Sequence, residues 1–459
     1  MSHVRSPRTT KPSRRSFLVA TGATALSAIP ATATTPLGPD RPPNILFVLA
    51  DDLGYADLSV YGRRDYQTPT IDRLAAQGLM LSQAYSSSPV CSPTRVALIT
   101  GRYPQRLAVG LPEPIRSAKL DPVGLPPRMG LLPKLMKSAG YATSLVGKWH
   151  MGWPPEHGPI ACGYDRFFGI VGAGADYVSH REHNLVEPDR PGLYEGDQIV
   201  QRTGYLTDLL AERAIEDMRT AAGSRMPFFV SLHFNAPHWP WQGPADRALP
   251  KGTDLFQRDG GSLATYAEMV RAMDAAVGRV LGEVDRLGAA DQTLVILTSD
   301  NGGERFADTW PLRGQKRELL EGGIRVPGIL RWPGRIAPGT RSNQVATSMD
   351  WLPTLASAAR APLDAEFPPD GEDLLSVLTG KAPVRQRKLF WRFAQRGQAA
   401  VRDGDWKYLR IDNEEQLFHV ATDPRERVNL RRREAAMFER LKADWGTWNT
   451  DMLAPPSGS

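Results

Sequence analysis

Two unbroken apolar runs, each closed by acidic or amide side chains and glycine, constrain the fold of this chain more than any other feature. The first is NILFVLADDLG (44–54) and the second is QTLVILTSDNGG (292–303). Runs without polar alternation are typical of central strands in a parallel sheet, which are covered on both faces. PFFVSLHFNAPH (227–238) is a third candidate strand, again with polar groups at its C-terminal end.

Segments with helical spacing separate these strands. The pattern predicts helices in 68–78, 204–221 and 266–288. Strands that alternate with helices predict an α/β fold with a large, mostly parallel sheet flanked by helices. Because ligands of such sheets bind at the carboxyl ends of the strands, we expect the polar residues that follow the three strands to lie together: Asp51, Asp52, His238, Asp300 and Asn301.

The pattern changes near residue 380. The segment KLFWRFAQRGQAAVRDGDWKYLRIDNEEQLFHV alternates apolar and polar residues around turn signals, which predicts a small antiparallel sheet. A helix is predicted near 432–446. Since a chain of 459 residues exceeds what one core usually serves, we expect a large domain at 42–380 and a smaller C-terminal α+β subdomain at 381–459.

The N-terminal segment accounts for most of the basic charge. The formal net charge is +6, but residues 1–39 carry five basic side chains and no acid, so 6 − 5 leaves about +1 for the remainder. A basic charge confined to one end does not predict a nucleic-acid partner.

The order of residues in this segment is typical of an export signal. SRRSFLVATGATALSAIPATA (13–33) has two adjacent arginines, a moderately apolar run and Ala-Thr-Ala. This predicts a twin-arginine signal peptide over 1–33, with the export machinery as a partner and a periplasmic or secreted location. A basic disordered tail is the alternative and fits the order of the three parts poorly. The run is too short and too rich in Gly, Ala and Thr for a permanent membrane anchor.

The aspartates and asparagine at the two strand ends supply oxygen ligands only. Such a set suits a hard cation, Ca²⁺ or Mg²⁺, and suits zinc poorly. The alternative for any single aspartate there is a helix cap or a turn residue. Two such ends in one chain favour the metal site.

The chain has only two cysteines, Cys91 and Cys162. Cys91 lies in SSSPVCSPTR (86–95), where Pro93 predicts a bend and Arg95 adds a guanidinium. On these residues alone a buried structural cysteine is the better interpretation. Export permits disulfides, so a Cys91–Cys162 pair stays open.

Three more loops carry chemistry-bearing side chains. GKWHMG (147–152) contains Lys148 and His150, NAPHWPW (235–241) contains His238, and GQKRELLEGGIRVP (314–327) contains Lys316. The alternatives are satisfied core histidines and a solvated lysine. Lys148 two residues before His150 is an unusual choice for a core.

Taken in order, these blocks resemble the type I sulfatases, the arylsulfatase-like branch of the alkaline phosphatase superfamily. CSPTRVALITGRYP matches the C-x-P-x-R signature, and ADDLGYADL, GKWHMG, APHWP, SDNGG and EGGIRVP match the other family blocks. LFHVATDPRERVNL is similar to the family's small C-terminal domain. Six ordered blocks are far more specific than the signature alone. One departure is Ala56, where many members have a second glycine.

The resemblance implies an alkaline-phosphatase-like fold, sulfatase activity and a modified cysteine. Cys91 is implied to become formylglycine through the formylglycine-generating machinery, acting before folding and export. A thiol that attacked a sulfate ester would leave a stable thiosulfate, whereas one hydroxyl of the hydrated aldehyde can attack and the other can expel sulfate.

The roles carried over from the family are expectations for matched residues. Asp51, Asp52, Asp300, Asn301 and the modified Cys91 would bind Ca²⁺, with Mg²⁺ as the other candidate. Arg95 and Lys148 would hold the diol and the anionic oxygens. His150 would take the second diol proton and Asp300 the first. His238 and Lys316 would bind the sulfate, alongside Lys148, and protonate the leaving oxygen.

The substrate is expected to be a sulfated saccharide or another small sulfated molecule such as an aryl sulfate. Trp239 and Trp241 flank Pro240 after His238 and could offer a flat face to a pyranose ring, or could simply pack under the loop. The alternatives to a sulfatase are a phosphate or phosphonate ester hydrolase of the same superfamily and a degenerate exported sugar-binding protein.

Overall fold

The computed structural model describes residues 41–182, 190–250 and 260–456. The chain divides into two units, Met1–Arg41 and Pro42–Ser459, and the description below concerns the second. The predicted signal peptide, 1–33, lies outside the described residues. Within these residues, no helix has the length and apolar character needed to cross a membrane. Cys91 and Cys162 are both free thiols.

A large, mostly parallel sheet forms the centre of the protein. Its strands are β1 (Asn44–Ala50), β2 (Leu79–Tyr85), β3 (Ala142–Gly147), β4 (Arg166–Ile170), β5 (Leu193–Glu195), β6 (Gln198–Ile199), β7 (Phe228–His233), β8 (Thr293–Ser299), β9 (Arg325–Arg331), β10 (Thr340–Ser342) and β11 (Ala346–Thr347). The order is β10-β2-β9-β8-β1-β7-β3-β4-β5-β6, and β11 also pairs with β2. β1 pairs in parallel with both β7 and β8, which confirms the central strands predicted from the apolar runs.

Helices cover both faces of this sheet. The helices of the described residues are α1 (Pro69–Ala76), α2 (Cys91–Thr100), α3 (Leu132–Ser138), α4 (Leu206–Gly223), α5 (Leu263–Arg286), α6 (Glu321–Ile324), α7 (Trp351–Ala359), α8 (Leu375–Leu378) and α9 (Ala435–Thr450), of which α9 packs on the second sheet described below. Leu46 and Val48 of β1 pack in a cluster with α1, α4 and α5. Ile45 and Phe47 pack in the opposite cluster with α2, α3 and α7. The alternate residues of β1 are therefore buried on both sides, as an unbroken apolar run requires.

The C-terminal region forms a second, antiparallel sheet. Its strands are β12 (Lys388–Phe393), β13 (Gln398–Asp403), β14 (Trp406–Ile411) and β15 (Glu414–His419), paired in that order. Phe438 and Leu441 of α9 pack on one face, against Val401 and Tyr408. The sequence predicted this sheet and its following helix, and both are confirmed.

The opposite face of the second sheet packs against the large domain. Trp391 and Leu409 belong to one buried cluster with Val90 and Leu319. Val90 directly precedes Cys91, and Leu319 lies three residues after Lys316. The small sheet therefore supports two of the segments that carry candidate site residues.

Candidate active site

The carboxyl ends of β1 and β8 bring the first four candidate residues together. The two strands are in register up to the Ala50–Ser299 pair, so the residues that follow each strand are neighbours: Asp51, Asp52, Asp300 and Asn301. The Asp52 backbone N–H donates to Asp300 Oδ1 at 3.2 Å, and Asn301 Nδ2 donates to Asp52 Oδ1 at 2.7 Å. All four side chains are buried.

Cys91 is the first residue of α2, and it lies beside these carboxylates. Its Sγ, one carboxylate oxygen each of Asp51 and Asp52, and a ring nitrogen of His238 all lie within 4.8 Å of one another. The bend predicted at Pro93 is wrong, because Pro93 occupies the first turn of α2. A proline is tolerated there since the first backbone N–H groups of a helix have no intrahelical partner.

Three buried cations surround the carboxylates. Arg95, one turn after Cys91, places Nη2 2.8 Å from Asp300 Oδ2 and 3.7 Å from Asp51 Oδ1. Lys148 Nζ lies 2.6 Å from Asp51 Oδ2. Lys316 has its Nζ 2.6 Å from an oxygen of Asp52. Lys316 is thus not a solvated lysine.

The electrostatics of the two adjacent aspartates differ. Burial and the neighbouring Asp300 raise the pKa of Asp51 well above its ordinary value, despite Lys148 and Arg95. Burial opposes ionisation of Asp52 as well, but Lys316 and His238 outweigh it and lower its pKa. Burial likewise opposes the charge of Lys316, while Asp52 raises its pKa well above the usual value. The Asp52–Lys316 pair is therefore ionised, whereas burial and the neighbouring Asp300 disfavour a negative charge on Asp51.

Two oxygen atoms of this cluster have unused capacity as acceptors. Among the described residues, Asp51 Oδ1 and Asn301 Oδ1 are buried and accept no hydrogen bond. An unsatisfied buried oxygen is costly, and hard cations take such oxygens as ligands. The donor set therefore fits a divalent cation such as Ca²⁺ or Mg²⁺.

The geometry of His150 defines its tautomer. Nε2 lies 2.8 Å from the Ile115 carbonyl oxygen, which can only accept, so Nε2 carries the hydrogen. Nδ1 is buried and has no hydrogen-bond partner in the described part of the chain. Burial and the nearby Lys148 hold the pKa of His150 well below its ordinary value. His150 is thus a neutral imidazole with a free basic nitrogen.

His238 is oriented in the opposite sense. Its Nδ1 lies 2.5 Å from the carbonyl oxygen of Trp239 and therefore donates to it. Nε2 points toward the cluster, 3.6 Å from Asp52 Oδ2. Nε2 is consequently the atom available to a ligand.

The two candidate tryptophans differ in their surroundings. Both residues are partly exposed, and the Trp239 ring lies with its centroid 5.0 Å from that of His238. Trp241 makes an edge contact with Phe306 at 4.8 Å and packs on a large apolar cluster. The structure thus brings Trp239, and not Trp241, next to the histidine.

Gln398 of β13 is a residue that the sequence analysis missed. Its Oε1 accepts from the Leu319 backbone N–H at 2.8 Å, and its Nε2 donates to the Arg317 carbonyl at 3.1 Å. Arg317 has a φ of 72°, in the left-handed region, directly after Lys316. No local pattern marks Gln398, because it contacts the Lys316 segment from about 80 residues downstream.

Comparisons with known proteins give a consistent result. The sulfatase family model matches residues 43–361, and the model of the C-terminal region of N-sulphoglucosamine sulphohydrolase matches 314–444. The chain is 34% identical to rat (Rattus norvegicus) N-acetylgalactosamine-6-sulfatase, over 77% of this chain and 69% of the relative. It is also 34% identical to human (Homo sapiens) arylsulfatase A, over 80% of this chain and 74% of the relative. The crystal structure of Ps i-CgsB in complex with k-i-k-neocarrahexaose superposes with a TM-score of 0.80 at 31% identity, covering 91% of this chain and 94% of that one.

Proposed function

The chain belongs to the sulfatase family and hydrolyses sulfate esters, and we propose that it acts on sulfated saccharides with a formylglycine made from Cys91. The observation that carries this proposal is the position of Cys91, whose Sγ lies among Asp51, Asp52 and His238. A free thiol at the start of a helix, surrounded by buried charges, is a poor choice for packing alone. The hydrated aldehyde would supply one hydroxyl as a nucleophile and a second to release the sulfate.

Asp51, Asp52, Asp300 and Asn301 would hold a Ca²⁺ ion, with the modified Cys91 as a further ligand. The unused acceptors Asp51 Oδ1 and Asn301 Oδ1 support this assignment. A bound divalent cation would supply charge stabilisation for the sulfate oxygens. Mg²⁺ demands a stricter octahedral shell and is the second candidate.

Four side chains would manage protons and charge around the nucleophile. Asp300 would accept the proton of the attacking hydroxyl and is held in place by Arg95 at 2.8 Å. His150 has its free Nδ1 available as a base for the other hydroxyl. Lys148, beside Asp51, would add positive charge where the transition state becomes anionic.

His238 and Lys316 would bind the sulfate, together with Lys148, and would serve the leaving group. Once protonated, His238 Nε2 is the atom that could donate to the leaving oxygen, since Nδ1 already donates to a backbone carbonyl. An alkoxide is a poorer leaving group than a phenolate, so a saccharide ester would depend on this proton more than an aryl ester does.

Trp239 would position the sugar that carries the sulfate. Its partly exposed ring lies beside His238, and indole faces suit the C–H side of a pyranose. Trp241 is the second proposed substrate contact, and it also packs against Phe306. The names of the relatives point to the same class of substrate, since one is an N-acetylgalactosamine-6-sulfatase.

We propose that Cys91 is modified before the chain is exported. Residues 1–33 would be a twin-arginine signal, the formylglycine-generating machinery would act on Cys91 in the unfolded chain, and the folded enzyme would work in the periplasm or outside the cell. Residues 42–380 would form the catalytic domain and 381–459 the small subdomain. The order of the basic, apolar and Ala-Thr-Ala segments supports the first part of this scheme.

A substrate comparison tests the proposal. The purified enzyme, made together with the formylglycine-generating machinery, is assayed on 4-nitrophenyl sulfate, 4-nitrophenyl phosphate, a phenyl phosphonate ester and a panel of sulfated saccharides. We expect His238→Ala and Trp239→Ala to lower turnover more on the saccharide than on the aryl sulfate, with His238→Ala the larger loss. Equal losses on both sulfates would contradict the leaving-group assignment. Faster turnover of the phosphate or phosphonate than of any sulfate would favour the alternative hydrolase.

A further inference from the structure

The loop between Gly303 and Lys316 leaves the active site and returns to it. It begins two residues after Asn301, and its ends are joined by a hydrogen bond from the Lys316 backbone N–H to the Gly303 carbonyl at 3.0 Å. Trp310 lies near its midpoint, six residues before Lys316. Since an extended residue spans at most roughly 3.6 Å, the α-carbons of Trp310 and Lys316 are no more than about 20 Å apart.

This loop is fixed to the segment that follows Asp52. The Ala56 backbone N–H donates to the Asp308 carbonyl at 2.8 Å, and the Asp308 N–H donates to Asp57 Oδ1 at 2.8 Å. A Cβ on Gly54 would lie only 2.6 Å from the Asp308 carbonyl oxygen. The 303–316 loop is thus held against the chain two to five residues after Asp52.

An open cavity of about 660 Å³ lies between the outer parts of these two loops. One wall is formed by the continuation of the segment after Asp52, and the other is formed by the 304–315 loop. The lining residues are Tyr61, Gly62, Arg64, Asp65, Asp308, Trp310 and Pro311. The cavity contains none of the residues assigned to catalysis above. Its volume is within the range of small-ligand sites.

Trp310 is the most exposed large apolar side chain among the described residues, at 59%. The Arg425 guanidinium lies 4.6 Å from the centre of its ring, an arrangement that holds an indole in place. The loop that carries Trp310 is also fixed to the C-terminal region, because Arg313 Nη1 donates to the carbonyl oxygen of the buried Glu426 at 3.3 Å. The exposed aromatic face is therefore held in position before any ligand arrives.

The polar groups of the cavity are suited to a carbohydrate. Arg64 is exposed, and no ion pair or hydrogen bond joins it to another of the described residues, so it is free to bind a sulfate or carboxylate. The half-exposed carboxylate of Asp65, held by Arg63 at 2.5 Å, and the Asp308 carboxylate can accept hydroxyl protons. An aromatic face with such groups around it matches a sugar ring better than a flat apolar ligand or a peptide strand.

We propose that this cavity is a binding subsite for a further sugar of the same sulfated oligosaccharide, one that lies outside the catalytic centre and stacks on Trp310. The proposal rests on the saccharide substrate proposed above. It makes binding depend on chain length, because a longer sulfated oligosaccharide can contact Trp310 and Arg64 in addition to the catalytic centre.

Calorimetric binding to a non-hydrolysing protein tests the subsite independently of turnover. In the Cys91→Ala background, binding of a neocarrahexaose and of a chondroitin 6-sulfate hexasaccharide is compared with binding of the matching disaccharides. We expect Trp310→Ala to weaken hexasaccharide binding roughly 3- to 10-fold, as an aromatic contact of this kind warrants, and to affect the disaccharides less. Trp310→Tyr, which keeps an aromatic face, should restore most of the affinity.

Arg64→Ala should weaken hexasaccharide binding about 3-fold. The matched control is Arg432→Ala, which removes another exposed arginine outside the cavity. Equal binding of both hexasaccharides with and without Trp310, or binding of neither at millimolar concentration, would overturn the subsite. If Trp310→Ala weakens binding but the modified enzyme fails to hydrolyse any saccharide sulfate, the subsite stands and the proposed substrate of the catalytic centre is wrong.

Discussion

This chain contains two clusters of buried charged side chains. They differ in how many of their oxygen atoms have a hydrogen-bond donor or a cation close by. The active-site cluster contains Asp51, Asp52 and Asp300 with their three cations. The interface cluster contains Glu321, Lys407 and Glu426, and lies between the large domain and the C-terminal sheet. Charge burial of this kind is expensive in either place.

In the interface cluster, the carboxylate oxygens of Glu321 are paired. Oε1 accepts from Lys407 Nζ at 2.9 Å, and Oε2 accepts from the Tyr85 hydroxyl at 2.6 Å. Burial alone would raise the pKa of Glu321, but Lys407 and Arg325 outweigh it and lower the value to about 2. Glu426 Oε1 accepts no hydrogen bond, but Lys407 Nζ lies 2.8 Å from it, so both carboxylates contact the same cation and the cluster joins two parts of the fold.

The active-site cluster keeps two buried oxygens without donors, Asp51 Oδ1 and Asn301 Oδ1. Burial and the neighbouring carboxylate hold the pKa of Asp51 well above its ordinary value. The lesson is that buried charge alone does not mark a functional site. A buried acceptor with neither a hydrogen-bond donor nor a close cation does, as at Asp51 Oδ1, where Arg95 Nη2 is 3.7 Å away, because it leaves a place for a cation and a substrate.

The largest effect that would sharpen this comparison is on stability. Glu321→Gln removes the buried carboxylate that faces Arg325 and one of the two that face Lys407, and we expect a loss of about 3–5 kcal/mol in the free energy of unfolding. Chemical denaturation measures it. Asp208→Asn is the matched control, since it breaks an exposed pair with Arg279 and should cost no more than about 1 kcal/mol. Similar small losses in both variants would break the distinction between the clusters.

A substitution in the active-site cluster should change the free energy of unfolding less and lower the turnover rate more. Asp300→Asn removes one of the mutually repelling carboxylates, so we expect a smaller change in unfolding free energy than Glu321→Gln gives. Turnover of 4-nitrophenyl sulfate should fall at least ~10²-fold, as expected for loss of one electrostatic stabiliser. If this variant and exhaustive chelation both left the rate unchanged, the metal assignment would be wrong.

Gln398 links the two regions, because it belongs to the small sheet and holds the backbone on the C-terminal side of Lys316. We expect Gln398→Ala to lower kcat about 10-fold through misplacement of Lys316, with a smaller change in KM. Turnover of a sulfated saccharide should fall more than that of 4-nitrophenyl sulfate, since the role proposed for Lys316 is to assist the poorer leaving group. Loss of stability alone, with equal kcat on both substrates per folded molecule, would reduce Gln398 to a packing residue.

The smallest effect concerns the pH dependence of stability. Burial, with Glu321 adding to it, raises the pKa of Glu426 from 4.5 to about 7. Between these values the folded chain holds a proton that the unfolded chain has lost, so this group makes the free energy of unfolding fall as pH rises. Glu426→Gln should flatten this decline between about pH 5 and 7. An unchanged slope in denaturation measured across that range would contradict the shift.

The sequence predicted the central strands and the C-terminal sheet because burial on both faces and alternation each leave a clear pattern. It predicted the meeting of Asp52 and Asp300 because the carboxyl ends of neighbouring parallel strands share one edge. It also predicted that Lys316 belongs to this site, but only through the family resemblance. Local sequence would have left it a solvated lysine.

What the sequence could not predict depends on contacts between distant segments. Lys407 and Gln398 lie on ordinary strands, and their roles come only from what those strands pack against. The same holds for the tryptophans: Trp241 stood beside His238 in the sequence yet packs on Phe306, whereas Trp310 is the exposed indole. Trp-Pro pairs occur at Trp153, Trp239, Trp310 and Trp332, so this pattern does not single out Trp310.

The central claim is that the active-site cluster is built around a modified Cys91, and peptide mass spectrometry of the 86–95 region tests it most directly. Preparations made with increasing amounts of the formylglycine-generating machinery should show specific activity in proportion to the formylglycine fraction at Cys91. Cys91→Ala should be folded and inactive in every preparation. A fully active preparation in which Cys91 is entirely an unmodified thiol would contradict the account.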